Sequence, residues 1–161
     1  MKTNLIKQYS IGLLVAMFGM VMALGAPYQK GDKVQAFDAK DQYGTAFTLK
    51  PEETRYLLVS HDMDTGKKAN AVLSALGKEH LGKKKAVYVA NIHGMPGIGR
   101  MFAIPKMKKY SHRIILGDDE KLIARFPEQK GKVTVLIMNA GKIKSVAYWN
   151  PETEALDEVL K

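Results

Sequence analysis

The residues best suited to chemistry fall in two short places, each directly behind an apolar run. His61-Asp62-Met63 follows Tyr56–Ser60, and His93-Gly94-Met95 follows Ala86–Ile92. Each pairs an imidazole with a thioether two residues on; if the chain stays extended, both side chains project to one side. Two histidines and two methionines make a soft site that suits Cu(I), with His61, Met63, His93 and Met95 as ligands. The plainer reading makes the histidines loop residues satisfied by backbone groups and the methionines fillers of apolar gaps. Asp62 and Asp64 offer a second chemistry, a carboxylate pair for acid–base work, provided the two meet one substrate from different environments. The competing role is structural: Asp64 caps a helix that starts near Lys67. Lys67 and Lys68 at such a start oppose the helix dipole and favour an anion nearby.

Several other chemistries are excluded. The 161 residues contain no cysteine, which removes thiolate nucleophiles, disulfides, cysteine zinc sites and cysteine-held iron–sulfur clusters. Gly94-Met95-Pro96-Gly97-Ile98-Gly99 lies where glycines can cradle phosphate, but Phe102 stands where a dinucleotide fingerprint needs its third glycine. A flavin-dependent oxidoreductase is therefore the third choice. No phosphate-binding P-loop, zinc-protease helix or serine elbow occurs. Ser60 and His61 are adjacent, and neighbours on a strand face opposite sides, which makes them a poor nucleophile–base pair. His80 sits on a helix edge and His112 in a polar Lys-Tyr-Ser-His stretch, both ordinary positions.

These residues need elements to hold them. Val34–Ala39 and Thr45–Leu49 flank a Gly-ended turn at Asp41–Gly44 and predict a hairpin. Tyr56–Ser60 and Ala86–Ala90 are continuous apolar runs, as expected of strands buried on both faces. Between them Ala69, Val72, Leu73, Leu76 and His80 recur at helical spacing from Lys67 to His80, with Gly82 near the expected end. Strand, helix and strand make one right-handed parallel unit, so both His-x-Met pairs lie at the same sheet edge. A helix is expected around Ile98–Ala103, ended or kinked by Pro105. Arg113–Leu116 reads as a strand, and Leu122–Phe126 as a short helix or strand. Lys132–Met138 and Lys142–Tyr148 are strands joined by Asn139-Ala140-Gly141, and Asn150 with Pro151 opens a last helix with Ala155, Leu156, Val159 and Leu160 inside.

The first residues speak to compartment. Lys2 and Lys7 precede an apolar run from Ile11 to Leu24, which ends in the small residues Gly25 and Ala26. These are the parts of a cleavable export signal, with cleavage expected after Gly25, residues 26–161 as one domain, and a periplasmic location. An uncleaved anchor is the alternative. Removing two lysines and no acids takes the net charge from +9 to +7. That charge favours contact with an anionic envelope surface; nucleic acid is not expected, because no aromatic residues interleave the Lys83–Lys85 and Lys106–Lys109 clusters.

The order hairpin, β-α-β, helix, strand, β-hairpin and final helix resembles the thioredoxin-like superfamily in its peroxiredoxin and TlpA-like branch. The likeness spans Tyr28 to Leu160 and rests on Gly31, Val34, Phe37, Asp41, Gly44, Phe47 and Leu49. Later it rests on Ile114–Asp118, Val135–Asn139, Gly141–Ile143 and Leu156. Asn70–Leu73 and Gly94–Gly97 are similar to YtfJ-type periplasmic members. The resemblance implies a three-layer α/β sandwich, a mixed central sheet with an N-terminal β-hairpin extension. Redox-active members carry their reactive cysteine just after the first central strand; here that place reads His61–Lys67. The family's proline before the penultimate strand corresponds to Val133.

Disulfide exchange and thiol peroxidase chemistry are thereby excluded, since methionine supplies no thiolate. The expectation is an exported, redox-inactive binding domain for an envelope protein or peptide, with no cofactor. Its contact residues are taken from the former active-site edge: His61, Asp62, Met63, Asp64, Lys67, Met95, Pro96 and Val133. A periplasmic Cu(I) protein is the alternative.

Overall fold

A computed structural model describes residues 25–161; the expected leader falls outside them except for Gly25. The elements run β1 (Asp38–Asp41), β2 (Ala46–Thr48), β3 (Tyr56–Ser60), α1 (Met63–Leu76), α2 (His80–Lys83), β4 (Ala86–Asn91) and α3 (Gly97–Met107). They continue with β5 (Ile115–Gly117), α4 (Glu120–Ile123), β6 (Val133–Asn139), β7 (Lys142–Trp149) and α5 (Leu156–Val159). The strands form one sheet of seven in the order β2-β1-β5-β4-β3-β6-β7. The central β3, β4 and β5 are parallel, and β6, β7, β1 and β2 add antiparallel neighbours on either side.

The continuous apolar runs become the middle of that sheet because both faces are covered. Tyr56 and Leu58 point into a core shared with Ala69 and Leu73 of α1, Leu81 of α2, and Leu156 and Leu160 around α5. Leu57 and Val59, one residue out of phase, point into a second core with Tyr28, Val34, Leu49 and Phe126. Helices thus lie on one face, and the N-terminal segment with α4 on the other.

Several boundaries differ from the sequence reading: β1 starts at Asp38 instead of Val34, β5 at Ile115 instead of Arg113, and α4 covers Glu120–Ile123 instead of Leu122–Phe126. Helix α1 begins at Met63 because Asp62, in extended backbone, accepts from the Thr65 amide at 2.8 Å. It stops at Gly77, whose φ of +92° breaks the helix before the separate turn of α2. Helix α3 runs through Pro105 to Met107. The carbonyl that Pro105 leaves without a donor belongs to Met101, on the exposed side where water can reach it. Asn150 opens a turn instead of a helix: its side chain accepts from the Glu152 amide at 3.0 Å, and α5 is only the short Leu156–Val159. Ala155 is exposed, whereas Leu156 and Leu160 are buried as expected.

Candidate functional site

Parallel pairing in register, Ser60 opposite Ala90, brings the ends of β3 and β4 to one edge of the sheet. One side chain ties the two chains together beyond that point. Asn91 donates from Nδ2 to the His61 carbonyl at 3.0 Å and accepts at Oδ1 from the His93 amide at 2.9 Å. Neither segment stays extended: α1 starts two residues after His61, and Gly94, at φ +74°, turns the chain so that the Met95 amide meets the Ile92 carbonyl at 3.1 Å. The condition for each histidine to share a side with its own methionine is therefore absent.

The four residues of the copper reading part company accordingly. Met63 and Met95 line one groove between the start of α1 and the inner side of α3, and neither His61 nor His93 is among its lining residues. His93 is exposed. The half-buried His61 ring meets Thr134 Oγ1 from Nε2 at 3.0 Å. Thr134 gives its only hydroxyl proton to the Pro127 carbonyl, so its oxygen accepts and His61 donates from Nε2. Nδ1 then holds the free lone pair. Burial holds the imidazole below its usual range, only partly offset by the charges of Glu128 and Asp62.

The two aspartates also separate. Asp62 Oδ1 takes the Thr65 amide and Oδ2 takes the Thr65 hydroxyl at 2.7 Å, so Asp62 and not Asp64 is the helix cap. Burial pushes the Asp62 carboxyl up, but those bonds and the Asp64 amide outweigh it and hold the group below the ordinary carboxylate range. Asp64 points outward to Lys68 at 2.8 Å, and Lys68 reaches Glu152 at 3.0 Å. A carboxylate pair converging on one substrate is not formed. Val133 is also not at the edge: its side chain lies wholly inside the α1-side core, opposite Trp149 in the β6–β7 ladder. The two-residue alternation of β6 sends Val133 inward together with Val135.

What the edge does present is a groove of about 240 Å³. Ser60, Asn70 and Asn91 supply polar groups to it, Met63 and Lys67 come from α1, and Phe102, Lys106 and Met107 come from α3. Met63 and Phe102 are 52% and 63% exposed, so apolar surface here is left uncovered by the chain itself. Pro96 stands exposed just before α3. Gly66 faces Ser60, and a Cβ there would make ordinary contact with Ser60 Oγ at 3.4 Å. Ser60 Oγ bonds the buried Tyr88 hydroxyl at 2.8 Å. Burial raises that phenol above its usual range, so it stays protonated and cannot serve as a base for Ser60. The Ser60–Tyr88 pair therefore supplies no activated nucleophile to the groove.

Sequence reading missed the residues that support this wall. Asn70, inside α1, accepts at Oδ1 from His112 Nε2 at 2.9 Å. His112 is 1% exposed and lies between the rings of Tyr88 and Tyr110 at 5.9 and 5.8 Å. The amide oxygen can only accept, so Nε2 carries the proton and the buried Nδ1 is left unpartnered. The imidazole is neutral, with burial lowering its pKa to about 4.

This architecture is shared with solved structures. The peroxidoxin BcpB of Mycobacterium tuberculosis superposes with a TM-score of 0.55 at 16% identity, over 82% of this chain and 94% of that one. The thioredoxin domain of a thiol-disulfide oxidoreductase from Bacteroides vulgatus gives 0.55 at 14% identity, over 83% and 99%. A thio-disulfide isomerase from Thermus thermophilus gives 0.50 at 15%, over 83% and 93%. No family model matches the chain, and no curated protein matches it. The protein has the thioredoxin-like fold and no cysteine anywhere in its sequence. The narrower likeness to YtfJ-type proteins is not among these findings.

Proposed function

We propose that this chain is an exported, redox-inactive binding domain that captures a segment of an envelope protein or peptide in the groove between α1 and α3. The observation that carries the reading is the uncovered apolar surface of Met63 and Phe102 around a groove that has polar groups but no activated nucleophile. A concave, largely apolar site with a few convergent polar groups is the form that binding sites take. Thioether side chains adapt to more than one partner. Export rests on the basic start and apolar run of residues 2–24, and the basic surface suits an envelope location.

The test is a selection from a random peptide display on the immobilised protein, followed by titration of the selected peptide. Met63→Gln with Phe102→Ser should weaken binding at least tenfold, whereas His61→Ala with His93→Ala should leave it unchanged. Peptides that bind equally well to the groove variant would refute the reading.

A second reading is favoured by one fact, that Met63 and Met95 line the same groove. It makes the chain a Cu(I) protein in which the two thioethers hold the metal. Anaerobic Cu(I) titration against a colorimetric competitor separates the two. One tightly held ion, lost in a Met63→Leu, Met95→Leu variant, supports copper handling.

A further inference from the structure

Helix α3 exposes apolar surface that continues outward from Phe102 at the groove wall to Ile98 and Met101, which do not line the groove. None of its residues is buried, and Ile98, Met101 and Phe102 are 69%, 67% and 63% exposed. Their spacing of three and four places them on one outward stripe. Beside the helix end stands Tyr43, 57% exposed, whose hydroxyl donates to the Lys108 carbonyl at 3.0 Å. An aromatic ring with a polar tip is the side-chain type that sits at a lipid–water boundary.

Asp118 and Asp119 lie near Arg100 on one side of α3, but the C-terminal end of the helix carries only basic groups from its own segment. The sequence contains no acidic residue between Glu79 and Asp118. Arg100 is engaged by Asp118, but Lys106, Lys108 and Lys109 are exposed and form no ion pair among the described residues. Exposed apolar side chains flanked by free lysines on an 11-residue helix are the pattern of an element that lies in a membrane interface. No helix among the described residues is long and apolar enough to cross a membrane.

From this juxtaposition we infer that α3 docks on an anionic phospholipid bilayer. Ile98, Met101 and Phe102 enter the boundary between headgroups and acyl chains, and Lys106, Lys108 and Lys109 meet the lipid phosphates. Long lysine side chains can keep their charge at that level while the helix body lies deeper. Docking would hold the domain at the membrane and would cover Phe102, which also lines the groove; the inference goes beyond peptide capture, and vesicle binding tests it without any peptide.

The experiment uses the full chain carrying Phe102→Trp, with the fully buried Trp149 as a constant background. Its readout is local to α3 and blind to contacts made elsewhere in the chain. Vesicles of phosphatidylglycerol with phosphatidylethanolamine, containing lipid brominated along the acyl chain, should blue-shift and quench the introduced indole. Vesicles of phosphatidylcholine should do neither. Lys106→Gln, Lys108→Gln and Lys109→Gln should each weaken vesicle binding about fivefold, and added salt should weaken it further. Ile98→Trp provides a second reporter if the first variant fails to fold. Absence of quenching in anionic vesicles with a folded reporter would overturn the inference, and so would equal quenching in neutral ones. Displacement from the vesicles by polyglutamate without any prior quenching would point to an acidic protein surface in place of a bilayer.

Discussion

The buried His112 makes stability depend on pH in a way that one substitution can isolate. Its imidazole is neutral in the folded protein, with a pKa lowered by burial from 6.5 to about 4. The unfolded chain takes up a proton near 6.5, while the folded chain takes it up only near 4. The unfolded state thus binds more protons across this window, so stability falls as pH drops from 6.5 toward 4 and is fully present above 6.5. At about 1.4 kcal/mol per pH unit the full effect is about 3 kcal/mol, of which about 2.5 kcal/mol is lost by pH 4.5. His112→Phe keeps an aromatic ring between Tyr88 and Tyr110 but cannot titrate. The backbone should hold, because Gln42 grips the His112 carbonyl and the Ile114 amide, each at 2.9 Å. Losing the bond to Asn70 should make the variant about 1 kcal/mol less stable at pH 7. At pH 4.5 it should be the more stable protein by about 1.5 kcal/mol, because the proton-linked loss is gone. Urea unfolding of both proteins at the two pH values reads the crossover directly, and the other titrating groups cancel in the difference. An equal stability gap at pH 7 and pH 4.5 would refute the assignment of a neutral, proton-excluding His112.

Three further expectations concern the site's supports. Asp62→Ala should cost about 1 kcal/mol by removing the cap of α1, and that loss should shrink in acid as the Asp62 carboxylate protonates; urea midpoints at pH 7 and pH 3 test both parts. Asn91→Ala should free the His93 amide, seen as faster hydrogen exchange there, with about 1 kcal/mol of destabilisation. Gly117→Ala would place a Cβ 2.7 Å from Ile123 Cδ1 and 3.1 Å from Val89 Cγ1, so a loss of about 1–3 kcal/mol is expected in thermal or urea unfolding.

The sheet was legible from sequence because its signals are local. Tyr56–Ser60 and Ala86–Ala90 are unbroken apolar runs, and a strand covered on both faces leaves little else for them to be. The hairpin of β6 and β7 announced itself through Asn139-Ala140-Gly141, where Ala140 and Gly141 do take positive φ. The start of α1 was not legible, since Asp62 and Asp64 are equally good caps by type. Thr65 decides between them, and its hydroxyl counts only once the backbone has brought it back to Asp62. Nor could His112 be recognised as buried. Its surroundings in sequence are polar, and its burial comes from Tyr88 and Asn70 on elements far away in the chain.

Side-chain hydrogen bonds hold the shape of this cysteine-free edge. Within His61–Lys67, the segment where the resemblance implies a reactive cysteine in redox-active members, the Asp62 carboxylate is committed to the Thr65 amide and hydroxyl. The neighbouring strand end is fixed by Asn91, which bridges His61 and His93, and the antiparallel strand beside it is joined through the His61–Thr134–Pro127 relay. Among the described residues, apolar surface stays exposed beside this edge on Met63 and along α3. A polar edge that holds its strand ends, with exposed apolar residues gathered beside it, is the arrangement on which the peptide-capture proposal rests.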